Sequence, residues 1–207
     1  MTQKLRGSGR LWADDCASQM VEFAVSLPLL IVMVVGIFDF SGAFTLKQKL
    51  NNAARNGARA AAADPATDLA NGGLSCASLN SCPASVSDAY QVVDNYLNAE
   101  KINDCGIKPS SASQPAPLTW SFTASTPGPP PCIFTVAINR GWIINNTTSD
   151  CTRPVASATP PDLIGTCVQV SYAYNWHFNS VITVLVPGAG YPGTTMLTTS
   201  SVAFNEN

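Results

Sequence analysis

Residues 20–46 read MVEFAVSLPLLIVMVVGIFDFSGAFTL, and the rest of the chain is laid out around this stretch. From Phe23 to Phe38 it carries no charge. Glu22 and Asp39 bracket the run, and only Ser26, Pro28 and Gly36 interrupt its apolar side chains. At a rise of about 1.5 Å per residue the bracketed run makes a helix of roughly 25 Å, and continuation to Leu46 carries it past the roughly 30 Å hydrocarbon core of a bilayer. No other segment matches its hydropathy, so one membrane pass is expected. A cleaved secretory signal would have an apolar region of about 7–15 residues ending at a small-residue site. Here the run is longer and continues into a helical pattern without that break.

Composition supports an anchor joined to one modest domain. Charged residues make up 12% of the 207, and the net charge of −2 supplies no basic field for nucleic acid. Of the seven cysteines, Cys16 precedes the apolar run, and Cys76, Cys82, Cys105, Cys132, Cys151 and Cys167 follow it. An even set on one side of a membrane reads as a disulfide framework in an oxidising compartment. Six cysteines allow about 15 pairings, and the sequence does not choose among them. No C-x2-C pair occurs and the single histidine, His177, has no cysteine beside it, so no metal site is expected.

In chain order, residues 1–17 form a short polar leader with Lys4, Arg6 and Arg10, read as cytoplasmic. Lys47, Lys49, Arg55 and Arg59 follow the span at similar density, so the cysteines rather than the basic residues set the orientation. The helix is expected to continue to Ala63. Phe44, Leu46, Leu50, Ala53, Ala54, Gly57 and Ala61 recur at three- and four-residue steps, and Asp64-Pro65 ends the pattern. The Ala/Gly stripe reads as a docking face for the protein's own domain. Residues 64–84 read as a small-residue loop that Cys76 and Cys82 can close. A second amphipathic helix runs through Val86, Ala89, Tyr90, Val93 and Leu97, with its cap near Ser85 or Ser87. Gly106–Pro117 and Pro127–Pro131 read as loops. Strand-type runs follow at 118–124, 132–139, 142–145, 167–176, 181–186 and 196–204. The alternation in Cys167–Tyr174 is that of a half-buried antiparallel strand.

Ala17 to Pro28, ASQMVEFAVSLP, resembles the N-terminus of TadE-like pseudopilins, the minor pilin-like proteins of tight-adherence pilus systems. That family begins with a small residue, usually glycine, then four residues, Glu, an aromatic, Ala and an apolar run with a proline. Glu22, Phe23, Ala24 and Pro28 match, and Ala17 stands where glycine is usual. The continuation GIFDFSGAF with NNAARNGARAA, and the closing TTSSVAFNE, are also similar to the family. The resemblance implies processing by a prepilin-type peptidase between Ala17 and Ser18. It also implies other pilins or pilus assembly proteins as partners beside membrane lipid, and a role in assembling an adhesive, type IVb-like pilus.

Glu22 has its own chemistry. A carboxylate at mid-bilayer costs about 2.5–3.5 kcal/mol, less near an interface, and usually faces a partner. Cleavage after Ala17 would place a new amine one helical turn before Glu22, on the same chain or a neighbour; the alternative is a Glu22 hydrated at the headgroup boundary. Pro28 removes a backbone donor and is expected to kink or locally melt the helix. Asp39 is expected to be solvated at the outer interface. No catalysis is expected: His177 has no carboxylate close in sequence, and no phosphate loop or Cys-x-x-Cys pair occurs.

The expected fold class is α+β. A long N-terminal transmembrane, pilin-like helix precedes a small disulfide-rich domain with a mainly antiparallel sheet. The divisions are a leader at 1–17, a helix at 18–63 spanning the membrane to about 46, and an extracytoplasmic domain at 64–207. The expected location is the inner membrane, single pass, N-terminus in the cytoplasm, without cofactor. The rival reading is a stand-alone anchored module that binds an extracytoplasmic ligand.

Overall fold

The structure, a computed structural model, describes residues 15–69, 76, 81–128, 130–144, 150–152, 163–178, 188 and 193–205. The chain divides into two compact units, residues 1–41 with 177–190, and residues 42–176 with 191–207. Helix α1 runs from Asp15 to Ala63. It is followed by a 3-10 turn at Ala66–Leu69, helix α2 at Ala84–Ala99 and a second 3-10 turn at Pro109–Ser111. The strands are β1 Ala112–Ala116, β2 Thr119–Thr126, β3 Cys132–Ile143, β4 Ile164–Asn175 and β5 Thr194–Phe204. They form one antiparallel sheet in the order β1-β2-β3-β4-β5, as an α+β reading requires.

In the second unit, alternation decides which sheet face meets the helices. Phe122, Val136 and Val170 share one register row and Trp120, Ile138 and Val168 the next, all essentially buried. Leu50, Ala53, Ala54, Ala58 and Ala61 of α1 and Val86, Ala89, Val93 and Leu97 of α2 complete this core. Tyr90 of α2 meets Phe122 at 4.7 Å between ring centroids. The Ala/Gly stripe of α1 therefore packs within its own domain. Gly57 shows why it is small: an added Cβ would lie 2.7 Å from Val93 Cγ2.

The other sheet face is polar along much of its length, with Thr123 against Thr135 and Ser171 against Thr198. Near one end it carries Trp142, Cys151 and Cys167, a small second core. A bulge between Asn139 and Trp142 makes this possible. The extra residue brings Trp142 to the side of Cys167, where unbroken alternation would have turned it toward the helices. The bulge also joins two expected strands, 132–139 and 142–145, into one.

Three disulfides pair neighbouring cysteines, Cys76–Cys82, Cys105–Cys132 and Cys151–Cys167, with Cα separations of 4.5, 5.6 and 5.6 Å. Other expectations are corrected. Residues 112–116 form edge strand β1, where a loop was expected; the strand tolerates Pro115 because an edge need not donate on both sides. Neither Ser85 nor Ser87 caps α2. The N-cap is Pro83, and Asp68 Oδ2 accepts the Ser85 N–H at 2.8 Å, so the cap comes from a distant residue. The expected strand at 181–186 lies outside the described residues.

Within the second unit α1 runs alongside β5 in the same direction. The Tyr174 hydroxyl lies against Gly42, and Tyr174 pairs with Thr195. Farther along, Thr199 Oγ1 donates to Asn51 Oδ1 at 3.2 Å. From Gly42 to Asn51 the helix rises about 14 Å, and from Thr195 to Thr199 the strand advances about 14 Å.

Candidate functional site

The first unit presents a bare apolar helix. Between Met20 and Phe38 no side chain is buried, and Met20, Phe23, Val25, Leu29, Met33, Ile37 and Phe38 are each more than 60% exposed. Together with Val21, 65% exposed, those residues occupy every side of the helix, a distribution found in a membrane span or a deeply buried helix. The 19–38 stretch covers about 29 Å, close to a bilayer core. Among the described residues this is the one helix long and apolar enough to cross a membrane.

Covering begins at Asp39. Its carboxylate is 2% exposed and accepts the backbone N–H groups of His177 at 3.2 Å and Phe178 at 3.3 Å. The His177 imidazole lies outside, 71% exposed, with Nδ1 3.6 Å from Asp39 Oδ1. Asp39 is therefore not the solvated charge expected of it. A partner 138 residues away cannot be read from local sequence.

At the far end of α1, Arg140 is buried beside the bulge in β3. Its Nη1 donates to the Ala61 carbonyl and to Thr166 Oγ1 at 2.9 Å, and its Nη2 donates to the Asp64 carbonyl at 3.0 Å. The last carbonyls of a helix lack intrahelical partners and carry its negative dipole end, so a buried guanidinium completes this terminus. Burial pulls Arg140 below its usual range, while Asp68 and Asp64 oppose that shift. Desolvation raises the Asp64 carboxyl above the usual carboxylate range and Asp88 adds to it, against the pull of Arg140. Sequence reading missed Arg140. Its signal was a lone charge in the apolar run Cys132–Ile143.

Of the residues singled out for processing and assembly, Ala17 and Ser18 lie in the first turns of α1. Glu22, Phe23 and Pro28 are exposed on the bare segment. Spacing along the helix puts Glu22 one turn beyond Ser18. Of the kink or local melting expected at Pro28, melting does not occur: the helix continues through Pro28, and Ser26 Oγ donates to the Phe23 carbonyl at 3.2 Å. Pro28 removes the N–H that would otherwise donate to the carbonyl of Ala24. Among the described residues no group of three His, Cys, Asp or Glu is placed to hold a metal ion.

Residues 17–59 match the model of a protein family described as TadE-like protein. The matched stretch lies within α1 and includes Ala17, Glu22, Phe23 and Pro28. Over that stretch the chain is similar to the family, as its residues led one to expect. No curated protein and no solved structure matches the chain.

Proposed function

We propose that this chain is a membrane-anchored, pseudopilin-like protein without enzymatic activity that takes part in assembling a tight-adherence pilus. The observation that carries the reading is the family match over 17–59, which contains the whole bare segment of α1 and continues into its covered part. In this reading the span crosses the inner membrane once, and lipid covers the apolar side chains from Met20 to Phe38. The leader is cytoplasmic and the sheet domain lies outside. Three disulfides in the domain support that orientation, because such bridges persist in oxidising compartments.

A prepilin-type peptidase cuts between Ala17 and Ser18 in this reading. The new amine, one turn from Glu22, then pairs with that carboxylate on the same chain or on a neighbouring pilin. N-terminal sequencing of protein from its native envelope is expected to begin at Ser18; a start at Met1 or Thr2 overturns cleavage and the amine–Glu22 pair together. Glu22→Ala is expected to lower co-recovery of pilus components while the three disulfides stay formed. Unchanged co-recovery would remove Glu22 from assembly.

A further inference from the structure

A groove of about 400 Å³ opens between α1 and the end of β5, lined by Arg55, Arg59 and Ala62 of the helix and by Ser201–Phe204 of the strand. It belongs wholly to the second unit, and its reading does not depend on the pilus assignment. Three features converge on it. First, β5 is a sheet edge: β4 pairs along one side, and no strand pairs along the other among the described residues. An unpaired edge presents a row of backbone donors and acceptors that accepts an extended chain. Second, both Arg55 and Arg59 are exposed, and among the described residues neither has an acidic partner. Third, Val202 and Phe204 alternate with Ser201 and Ala203, so they occupy the opposite sheet face. There they remain 44% and 61% exposed.

The spacings agree. Arg55 and Arg59 are one turn apart on the same helix face, separated by about 6 Å of rise, and alternate residues of a strand are about 6.7 Å apart. Because α1 and β5 run side by side, a chain lying against β5 passes Arg55 and Arg59 at its own two-residue repeat. We propose that this groove binds an extended segment of a partner protein in which acidic and apolar residues alternate. The segment adds to the sheet beside β5, sets two alternate carboxylates against Arg55 and Arg59, and lays its apolar side chains beside Val202 and Phe204. A lipid headgroup offers the charge but not the extended backbone that the open edge reads.

The test uses the full chain in detergent micelles and a fluorescently labelled peptide of alternating glutamate and valine. The peptide is expected to bind, with affinity that falls as salt screens the exposed charges. Arg55→Glu combined with Arg59→Glu is expected to weaken binding by about tenfold or more, with circular dichroism and disulfides unchanged. If charge reversal disturbs the fold, Arg55→Gln with Arg59→Gln is the second variant, and a severalfold loss is expected. A lysine–valine peptide should fail to bind, and a glutamate–valine peptide with methylated backbone nitrogens should bind far more weakly. The proposal is overturned if the unmodified peptide does not bind, if the arginine variants bind it equally, or if the methylated peptide binds as well. Displacement of the peptide by anionic lipid, with equal binding of the methylated form, would assign the arginines to a headgroup instead.

Discussion

Between Met20 and Phe38, α1 carries Phe, Leu, Ile, Met and Val on all sides, and no side chain there is buried. Between Leu50 and Ala61 the same helix carries Ala and Gly on the side where Ala53, Ala54, Ala58 and Ala61 are wholly covered. The first of these stretches is the more apolar, yet the second holds the core. What separates them is side-chain size rather than hydropathy. Small residues let a helix backbone approach a sheet closely, whereas large ones on every side suit a fluid surrounding that needs no matching shape. A continuous apolar patch of that extent on a chain by itself marks contact with membrane or partner.

The contrast can be broken most severely at the covered end. Arg140→Met leaves the Ala61 and Asp64 carbonyls without their charged donor and is expected to cost about 3–5 kcal/mol, read by denaturant unfolding of the domain. A loss below about 1 kcal/mol would show that water replaces the guanidinium and that the terminus is not closed by it.

Paired glycine substitutions sharpen the comparison with a smaller effect. Gly57→Leu drives a side chain into Val93 and the Ala89 carbonyl and is expected to destabilise the domain by about 1–3 kcal/mol. Gly36→Leu, where nothing lies within 4 Å of an added Cβ, should leave domain unfolding unchanged. Equal effects at both positions, measured by tryptophan fluorescence in the same detergent, would erase the distinction between the two stretches.

The smallest effect is a pH slope from Asp64, whose carboxyl is raised chiefly by burial. The folded state holds this proton more tightly than the unfolded chain does. Its contribution therefore favours folding most at pH below the unfolded value of 3.8, and is lost as pH rises through the higher folded value. Asp64→Asn should flatten the stability profile from about pH 4 toward neutrality. A slope there identical to that of the unsubstituted protein would locate the titration in another group.

The bare helix was the most legible part of the chain, because a long uncharged run of large apolar residues suits few surroundings besides a bilayer. The Ala/Gly stripe was legible as a docking face for a similar reason, since period and residue size agree along it. The antiparallel pairing of β4 agrees with the alternation of Cys167–Tyr174, but the half-burial expected from that alternation is corrected: Cys167, Ser171 and Ala173 on one face are buried along with Val168, Val170 and Tyr174 on the other. What escaped reading depends on contacts distant in sequence. Asp39 meets His177, Asp68 caps α2, and Arg140 closes α1, each through a partner that local pattern does not name. The cysteines announced their number but not their pairing, since the choice rests on where the segments outside the sheet, carrying Cys105 and Cys151, meet Cys132 of β3 and Cys167 of β4. Edge strand β1 hid behind the polar Ser113 and Gln114 and behind Pro115, which an edge accepts and a central strand does not. Arg55 and Arg59 entered the sequence reading only as basic residues that follow the span, and their groove emerged only when β5 came alongside.

The side-by-side course of α1 and β5 sets unequal rules for changing the chain's length. From Gly42 onward the helix is held against the sheet at matched intervals, at Tyr174 of β4, at Thr199 of β5 and, at Ala61, by Arg140 of β3. Deleting one residue there turns every later side chain by about 100° and shifts it by about 1.5 Å. The alanines would leave the sheet and the carbonyls would leave Arg140. Between Phe23 and Phe38 the same deletion only shortens an apolar cylinder that is exposed all round, and a bilayer surrounding it would accommodate such a change by tilt or thinning at a fraction of a kcal/mol per ångström. Insertions and deletions in α1 are thus expected to be tolerated between Phe23 and Phe38, where no side chain is buried. They are barred from the segment that the strand measures.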